Sequence, residues 1–178
     1  KGKFSETKGS PFPAGDSPND IGLGDFNGDE KPDLAFPNHD TKYITVLLGD
    51  GTGRFASKLQ TIVQSRPHPH GIAIGDFNGD RKMDAAVESW ANSQVEILLG
   101  KGDGTFQTPG AFFTVGKMPY QRLRCGDVNA DGKPDIITTN FEGNSVSVLL
   151  CYGKGELTPS ERSPFAVPKS PFGVAIGD

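Results

Sequence analysis

The sequence predicts an all-β fold built from repeated four-stranded antiparallel blades, and three observations carry that prediction. An acidic string returns at a fixed interval of 51 residues, as GDFNGDEKPDL at 24–34, GDFNGDRKMDA at 75–85 and GDVNADGKPDI at 126–136, and a fixed period of this length marks a repeat architecture. The chain carries 24 Gly and 14 Pro in 178 residues, and both residue types break helix interiors while suiting turns. No stretch has the apolar spacing of an amphipathic helix, whereas several alternate as strands do.

Aligned on that period, each unit opens with a short apolar strand, at 21–24, 71–75, 121–126 and 173–177. The acidic loop follows. A second strand runs over 33–37, 84–89 and 135–140 and ends in a polar turn. The third strand is the most regular. YITVLLG, QVEILLG and SVSVLLC alternate and then run into a Leu-Leu pair, as expected of a strand buried on both faces near its end. A Gly-rich turn then closes on Phe55, Phe106 and Leu157, a phase that Phe4 shares. A less regular fourth strand, such as 111–115, completes the unit. Four antiparallel strands in about 50 residues make one blade of a β-propeller.

The expected blades are 17–67, 68–118 and 119–169, with 1–16 as the last strand of a preceding blade and 170–178 as the first strand of a further one. That amounts to about 3.5 blades, whereas a closed ring needs roughly four to eight. The chain is therefore expected to be a partial propeller or one completed by a second chain, since bare apolar blade faces are unfavourable. Joining residue 178 to residue 1 skips the equivalents of two strands, so simple head-to-tail pairing does not rebuild a regular blade. Open blade edges are a route to a homo-oligomer.

A hydrophobic content of 34% is adequate for a core. No apolar run is long enough for a membrane span, and the opening KGKFSETKGS lacks the apolar stretch of a signal peptide. This fits a processed chain or a fragment of a longer one. Basic residues are scattered, which speaks against nucleic acid as a partner.

The acidic loop carries the chemistry. Counted from its first Asp, oxygen-bearing side chains fall at positions 1, 3, 5 and 9: Asp25, Asn27, Asp29 and Asp33, then Asp76, Asn78, Asp80 and Asp84, then Asp127, Asn129, Asp131 and Asp135. Alternate spacing lets a coiled loop turn these groups inward. With a backbone carbonyl at position 7 (Lys31, Lys82, Lys133), the set suits a Ca²⁺ shell of about six to eight oxygens, whereas Mg²⁺ prefers a smaller octahedral shell that retains water. Acidic Gly-rich segments are often only solvated turns, but three copies of one spacing point to three Ca²⁺ sites. An EF-hand would need Glu at position 12, where Phe36, Val87 and Thr138 stand. The ninth-position Asp is expected to close the shell as a bidentate ligand. Three divalent ions would carry six positive charges and turn the formal net charge of -4 into +2. Every polar group of the loop serves the shell and none is left as an obvious base, so the ion is expected to be structural and the chain not an enzyme.

The loop, the LLG strand and the GDGTF turn together are similar to the FG-GAP/VCBS repeat, the blade of integrin α-subunit propellers and of related secreted bacterial and fungal proteins. The likeness covers nearly the whole chain. It implies that the loop joins strands one and two and binds Ca²⁺, in an extracellular or cell-surface protein. It also implies a binding module for carbohydrate or extracellular protein, in a lectin-like or adhesion role. Two further readings stay open, a structural self-assembling unit and the non-catalytic propeller part of a larger secreted enzyme. The family's Gly at position 6 is kept as Gly132 but replaced by Glu30 and Arg81.

Candidates for a ligand surface lie in the turns opposite the acidic loops. The turn between strands two and three carries His39, Trp90 and Phe141 at one repeat phase, with Asn92 beside the chain's single Trp. His70, Gln121 and Arg122 are expected in the loops leading into strand one. An aromatic ring beside an amide suits stacking on a sugar or an interface contact. The competing reading is that these rings only pack over neighbouring loops. In RPHPHG (66–71), His68 and His70 flank Pro69 in an extended geometry with no third metal ligand evident, which reads as a rigid loop. Cys125 and Cys151 end strands one and three, about 9.6 Å apart across two strand spacings, beyond the disulfide limit of about 7 Å between Cα atoms. Two free, largely buried thiols are expected.

Overall fold

The computed structural model describes residues 2–62 and 68–177. Asp178, which shares the 51-residue phase of Asp25, Asp76 and Asp127 and would open a fourth loop, lies outside these residues, as does the Arg66-Pro67 part of RPHPHG.

Thirteen strands and no helix occur among the described residues, arranged as three antiparallel sheets. The first contains β1 (Gly22–Gly24), β2 (Asp33–Pro37), β3 (Tyr43–Gly49) and β4 (Phe55–Ile62) in sequence order. The second repeats the order with β5 (Pro69–Gly75), β6 (Asp84–Ser89), β7 (Gln94–Leu98) and β8 (Ala111–Thr114). The third has β9 (Pro119–Gly126), β10 (Asp135–Asn140) and β11 (Ser145–Cys151). Its fourth position is shared by two short strands on β11, namely β12 (Leu157–Pro159) and β13 (Phe165–Ala166).

The register repeats with the sequence. Asp33 pairs with Gly24, Asp84 with Gly75 and Asp135 with Gly126, so each acidic loop is the connection of a β-hairpin. β6 and β10 are buried along their whole length, so Glu88, Ser89, Thr138, Thr139 and Asn140 lie inside together with the apolar residues of these strands.

Successive sheets pack face to face through two cores. Ala35, Ile44 and Val46 of the first sheet meet Ile72, Ala85, Val87, Leu98 and Phe106 of the second. From its other face the second sheet presents Ala73, Ala86, Val95 and Ile97 to Leu123, Ile136, Leu149 and Leu157 of the third. The small Ala85 and Ala86 let the middle sheet be approached closely on both sides. The acidic loops contribute as well: Phe26 packs edge-on against Phe106 at 5.8 Å, and Phe77 is fully buried.

Outside these sheets the described flanks differ from expectation. Before β1 there is only an isolated bridge between Pro18 and Asn38, and residues 168–177 form no strand. A lone strand has no ladder partner to pair with. Phe4, expected to match Phe106, is fully exposed, and Phe12 instead packs on Phe55 at 5.3 Å. Ile21 and Leu23 are also largely exposed, in a concavity they share with Ile72 and Ile74 of the second sheet and Leu123 and Cys125 of the third.

Both cysteines are free, as expected, with Cys151 buried and Cys125 half-buried. Their thiols donate to the carbonyls of Phe77 and Ile74 respectively, and burial pushes both pKa values up.

Candidate functional site: acidic loops at one end, an aromatic row at the other

The three acidic loops adopt one geometry. In the first, Asp25 Oδ1 accepts the N–H of Gly28 at 2.7 Å and of Asp29 at 3.2 Å, while its Oδ2 accepts that of Glu30 at 2.8 Å. Asn27 Oδ1 takes the Asp29 N–H and Asp29 Oδ1 takes the Lys31 N–H. The second loop repeats this set around Asp76, Asn78 and Asp80. The third does so around Asp127, Asn129 and Asp131. The N–H of Gly132 in particular holds the Asp127 carboxyl below its ordinary pKa. Each side chain thus wraps the backbone around itself.

Two residues per loop lie in the left-handed region, at positions 4 and 6. They are Gly28 and Glu30 (φ 76° and 63°), Gly79 and Arg81 (80° and 67°), and Ala130 and Gly132 (61° and 83°). The departures from Gly at position 6 therefore leave the loop shape unchanged. Each copy has one Gly and one strained residue, in opposite order in the third, at a cost of about 1–2 kcal/mol for the non-Gly residue.

The ninth-position Asp is the anchor. Asp33, Asp84 and Asp135 are fully buried. One oxygen of each accepts the N–H of position 2: Phe26 at 2.9 Å, Phe77 at 2.8 Å and Val128 at 3.0 Å. The other accepts an N–H from the end of the third strand: Gly49 at 2.8 Å, Gly100 at 2.7 Å and Cys151 at 2.9 Å. Each oxygen keeps a second lone pair. Burial pushes the Asp84 pKa up to about 6, against the lowering effect of the Gly100 and Phe77 N–H groups and with Asp80 and Asp76 adding to the rise. A buried carboxylate beside two others, with no Lys or Arg paired to it among the described residues, is an electrostatic arrangement that a divalent ion would relieve. Lys31 and Lys133 reach only the exposed fifth-position Asp29 and Asp131, at 3.2 and 3.6 Å.

At the opposite end of the sheets runs a continuous row of rings. His39 stacks on His68 with centroids 4.4 Å apart and meets His70 edge-on at 4.5 Å. His70 lies 6.1 Å from Trp90 and 4.9 Å from Tyr120, which in turn contacts Phe141 at 5.9 Å and Phe172 at 5.4 Å. At the far end of the row, Trp90, Met118, Tyr120, Phe141, Glu142 and Phe172 line a cavity of about 440 Å³.

His39, His70, Trp90 and Phe141 are thus brought together. Asn92 is exposed in its turn, and neither it nor Arg122 lines the cavity. Gln121 is a β9 residue. Arg122 likewise lies within the first strand expected over 121–126, and His70 belongs to a first strand rather than to the loop before it. The reason is that the ladder extends past a bulge to Pro69–Ser89 in the second sheet and Pro119–Asn140 in the third. Tyr120 and Phe172 were not singled out by sequence, although Phe172 shares the repeat phase of His70.

Set beside known proteins, residues 25–87 match the family model of the FG-GAP-like repeat, the family that the acidic loop resembles. No curated protein matches the chain. Among solved structures, one of an Agrocybe aegerita lectin aligns with a TM-score of 0.54 and 25% identity over 78% of this chain. That structure shows the basis of the lectin's specific recognition of non-reducing terminal N-acetylglucosamine. This chain spans 36% of that lectin's length.

Proposed function

We propose that the chain is a calcium-stabilised β-propeller binding module of an extracellular or cell-surface protein, and that it binds carbohydrate at the aromatic end of its sheets. The observation that carries the reading is the cavity lined by Trp90, Met118, Tyr120, Phe141, Glu142 and Phe172. Apolar ring faces beside a carboxylate suit a pyranose, which stacks its C–H face and hydrogen-bonds its hydroxyls. Likeness to a lectin that recognises a terminal N-acetylglucosamine supports the same class of ligand.

Calcium would be held by the side chains at positions 1, 3, 5 and 9 and the carbonyl at position 7. When bound, it would neutralise the clustered carboxylates and lock hairpins that already have the required coil. Its role is structural, and the module itself performs no chemistry.

Calorimetric titration with N-acetylglucosamine-terminated oligosaccharides in calcium tests the reading. Binding that disappears in Trp90→Ala is expected. Absence of binding to these and to a broad glycan array, or equal binding by the variant, would refute it.

A second reading is association through exposed apolar residues at the open ends of the row of sheets. It is favoured by the exposed Ile21 and Leu23 beside the first sheet and by Ile176, whose side chain lies over Gly126 of the third. Light scattering that shows mass rising with concentration would support self-association of this kind.

A further inference from the structure

The sequence contains three histidines, at 39, 68 and 70, and all three meet at one end of the ring row. Read along the chain, His68 lacked a third ligand partner. The fold supplies it from the neighbouring sheet: one ligand-capable atom from each of His39, Asp40 and His68 falls within 4.8 Å of the others. We propose that these three residues bind a divalent transition-metal ion of the zinc class, at a site separate from the acidic loops.

The hydrogen bonds leave suitable lone pairs. His68 Nδ1 lies 3.2 Å from the carbonyl oxygen of His39. A carbonyl only accepts, so Nδ1 carries the proton and Nε2 is left with an open lone pair. This is the tautomer that metal-bound histidines take when a carbonyl fixes their other nitrogen. His39 Nδ1 is 2.7 Å from Asp40 Oδ1, and Ser17 donates its hydroxyl to Asp40 Oδ2. The carboxylate is therefore already positioned between the two histidines and a supporting hydroxyl.

His70 forms the inner wall. It is 98% buried, as its 2% exposure gives, and its Nδ1 accepts from Asn19 Nδ2 at 3.1 Å. Its Nε2 has no hydrogen-bond partner among the described residues. Its ring meets that of His39 edge-on at 4.5 Å, so it closes the inner side of the cluster.

The donor set decides the metal class. Two imidazoles and one carboxylate suit Zn²⁺, Co²⁺ or Ni²⁺, whereas Ca²⁺ takes oxygen alone. Zinc-nitrogen bonds of about 2.1 Å put tetrahedral ligands roughly 3.4 Å apart, so donor atoms that lie within 4.8 Å of one another need to close by at most about 1.4 Å. Asp40 is exposed and His39 and His68 are half-buried, which leaves them room to turn. Three protein ligands leave a fourth position for water. The ion would clip the turn after β2 to the residue before β5, tying two sheets together at the end away from the acidic loops.

The test is a titration with Co²⁺, then Zn²⁺ in competition, with the acidic loops kept saturated by millimolar Ca²⁺. One equivalent of Co²⁺ with the visible absorption of nitrogen ligation, displaced by Zn²⁺, is expected. Asp40→Asn and His68→Asn should each weaken it at least about tenfold. Asn suits position 68 because it tolerates the left-handed backbone there, φ 69°. In the unaltered protein, Zn²⁺ should shift the ring resonances of His39 and His68, a readout that does not depend on how any variant folds. No stoichiometric binding, unchanged affinity in a folded His68→Asn, or ring resonances of His39 and His68 that do not respond would overturn the proposal.

Discussion

Replacing Asp84 with Asn separates what the carboxylate does for the fold from what it does for an ion. The side chain is fully buried and accepts N–H bonds from Phe77 at 2.8 Å and Gly100 at 2.7 Å. An amide of the same shape keeps one acceptor and turns an NH₂ toward the other donor, at a cost of about 1–3 kcal/mol. The opposing effect is electrostatic. A pKa pushed up to about 6 from 3.8 means the ionised form costs the fold roughly 3 kcal/mol at neutral pH, and the neutral amide removes that cost. The two nearly cancel, so Asp84→Asn in EDTA should lie close to the unaltered protein. Calcium breaks the balance. With affinities of about 0.1 mM, as in extracellular modules, roughly 1 mM free Ca²⁺ adds about 1.4 kcal/mol per loop and about 4 kcal/mol for three. The variant should keep only two loops' share, about 3 kcal/mol. Urea unfolding followed by circular dichroism, with EDTA and with 1 mM CaCl₂, measures both increments. A variant that gains as much from calcium as the unaltered protein refutes the role given to this side chain, and a protein that gains nothing refutes the loops as calcium sites.

Two other outcomes follow from the same structure. Ala130 sits at φ 61° where the other two loops have Gly, so Ala130→Gly should stabilise the protein by up to about 1 kcal/mol in urea unfolding. His70 has a folded pKa of about 4 against an ordinary 6.5. Between those values the unfolded chain binds the extra proton, so stability falls as pH is lowered from 6.5 to 4, by up to about 3 kcal/mol. His70→Gln, the residue found 51 positions later, should remove that part of the pH dependence in urea midpoints taken across this window.

The strands and loops were legible because they repeat. A 51-residue phase turns three weak local signals into one strong one, and second strands such as Asp84–Ser89 and Asp135–Asn140 fall where the pattern puts them. Position 6 was harder to read. A Gly moved from position 6 to position 4 looks like a lost motif in sequence, yet both positions are left-handed and one Gly serves at either. The aromatic end was only partly legible. Trp90 and Phe141 share a phase, but Tyr120 aligns with Pro18 and Pro69, and its role comes from contacts between different sheets. The cluster of His39, Asp40 and His68 is of the same kind, since comparing equivalent positions cannot reveal unlike residues that meet across a sheet boundary.

One contact gives the acidic loops a wider reach. The carbonyl of Phe26 accepts the N–H of Gly104 at 2.8 Å, and 51 residues on the carbonyl of Phe77 accepts that of Gly155 at 2.9 Å. The residue whose N–H is fastened to the buried Asp on one side is thus fastened by its carbonyl to the next sheet on the other. The first and second loops are thus shared joints, and stiffening either acts on two neighbours at once. Stability in such a stack is governed by its interfaces as much as by its units. Loosening one joint should therefore let the sheets on both sides exchange their amide hydrogens faster, while the sheet farther along keeps its protection.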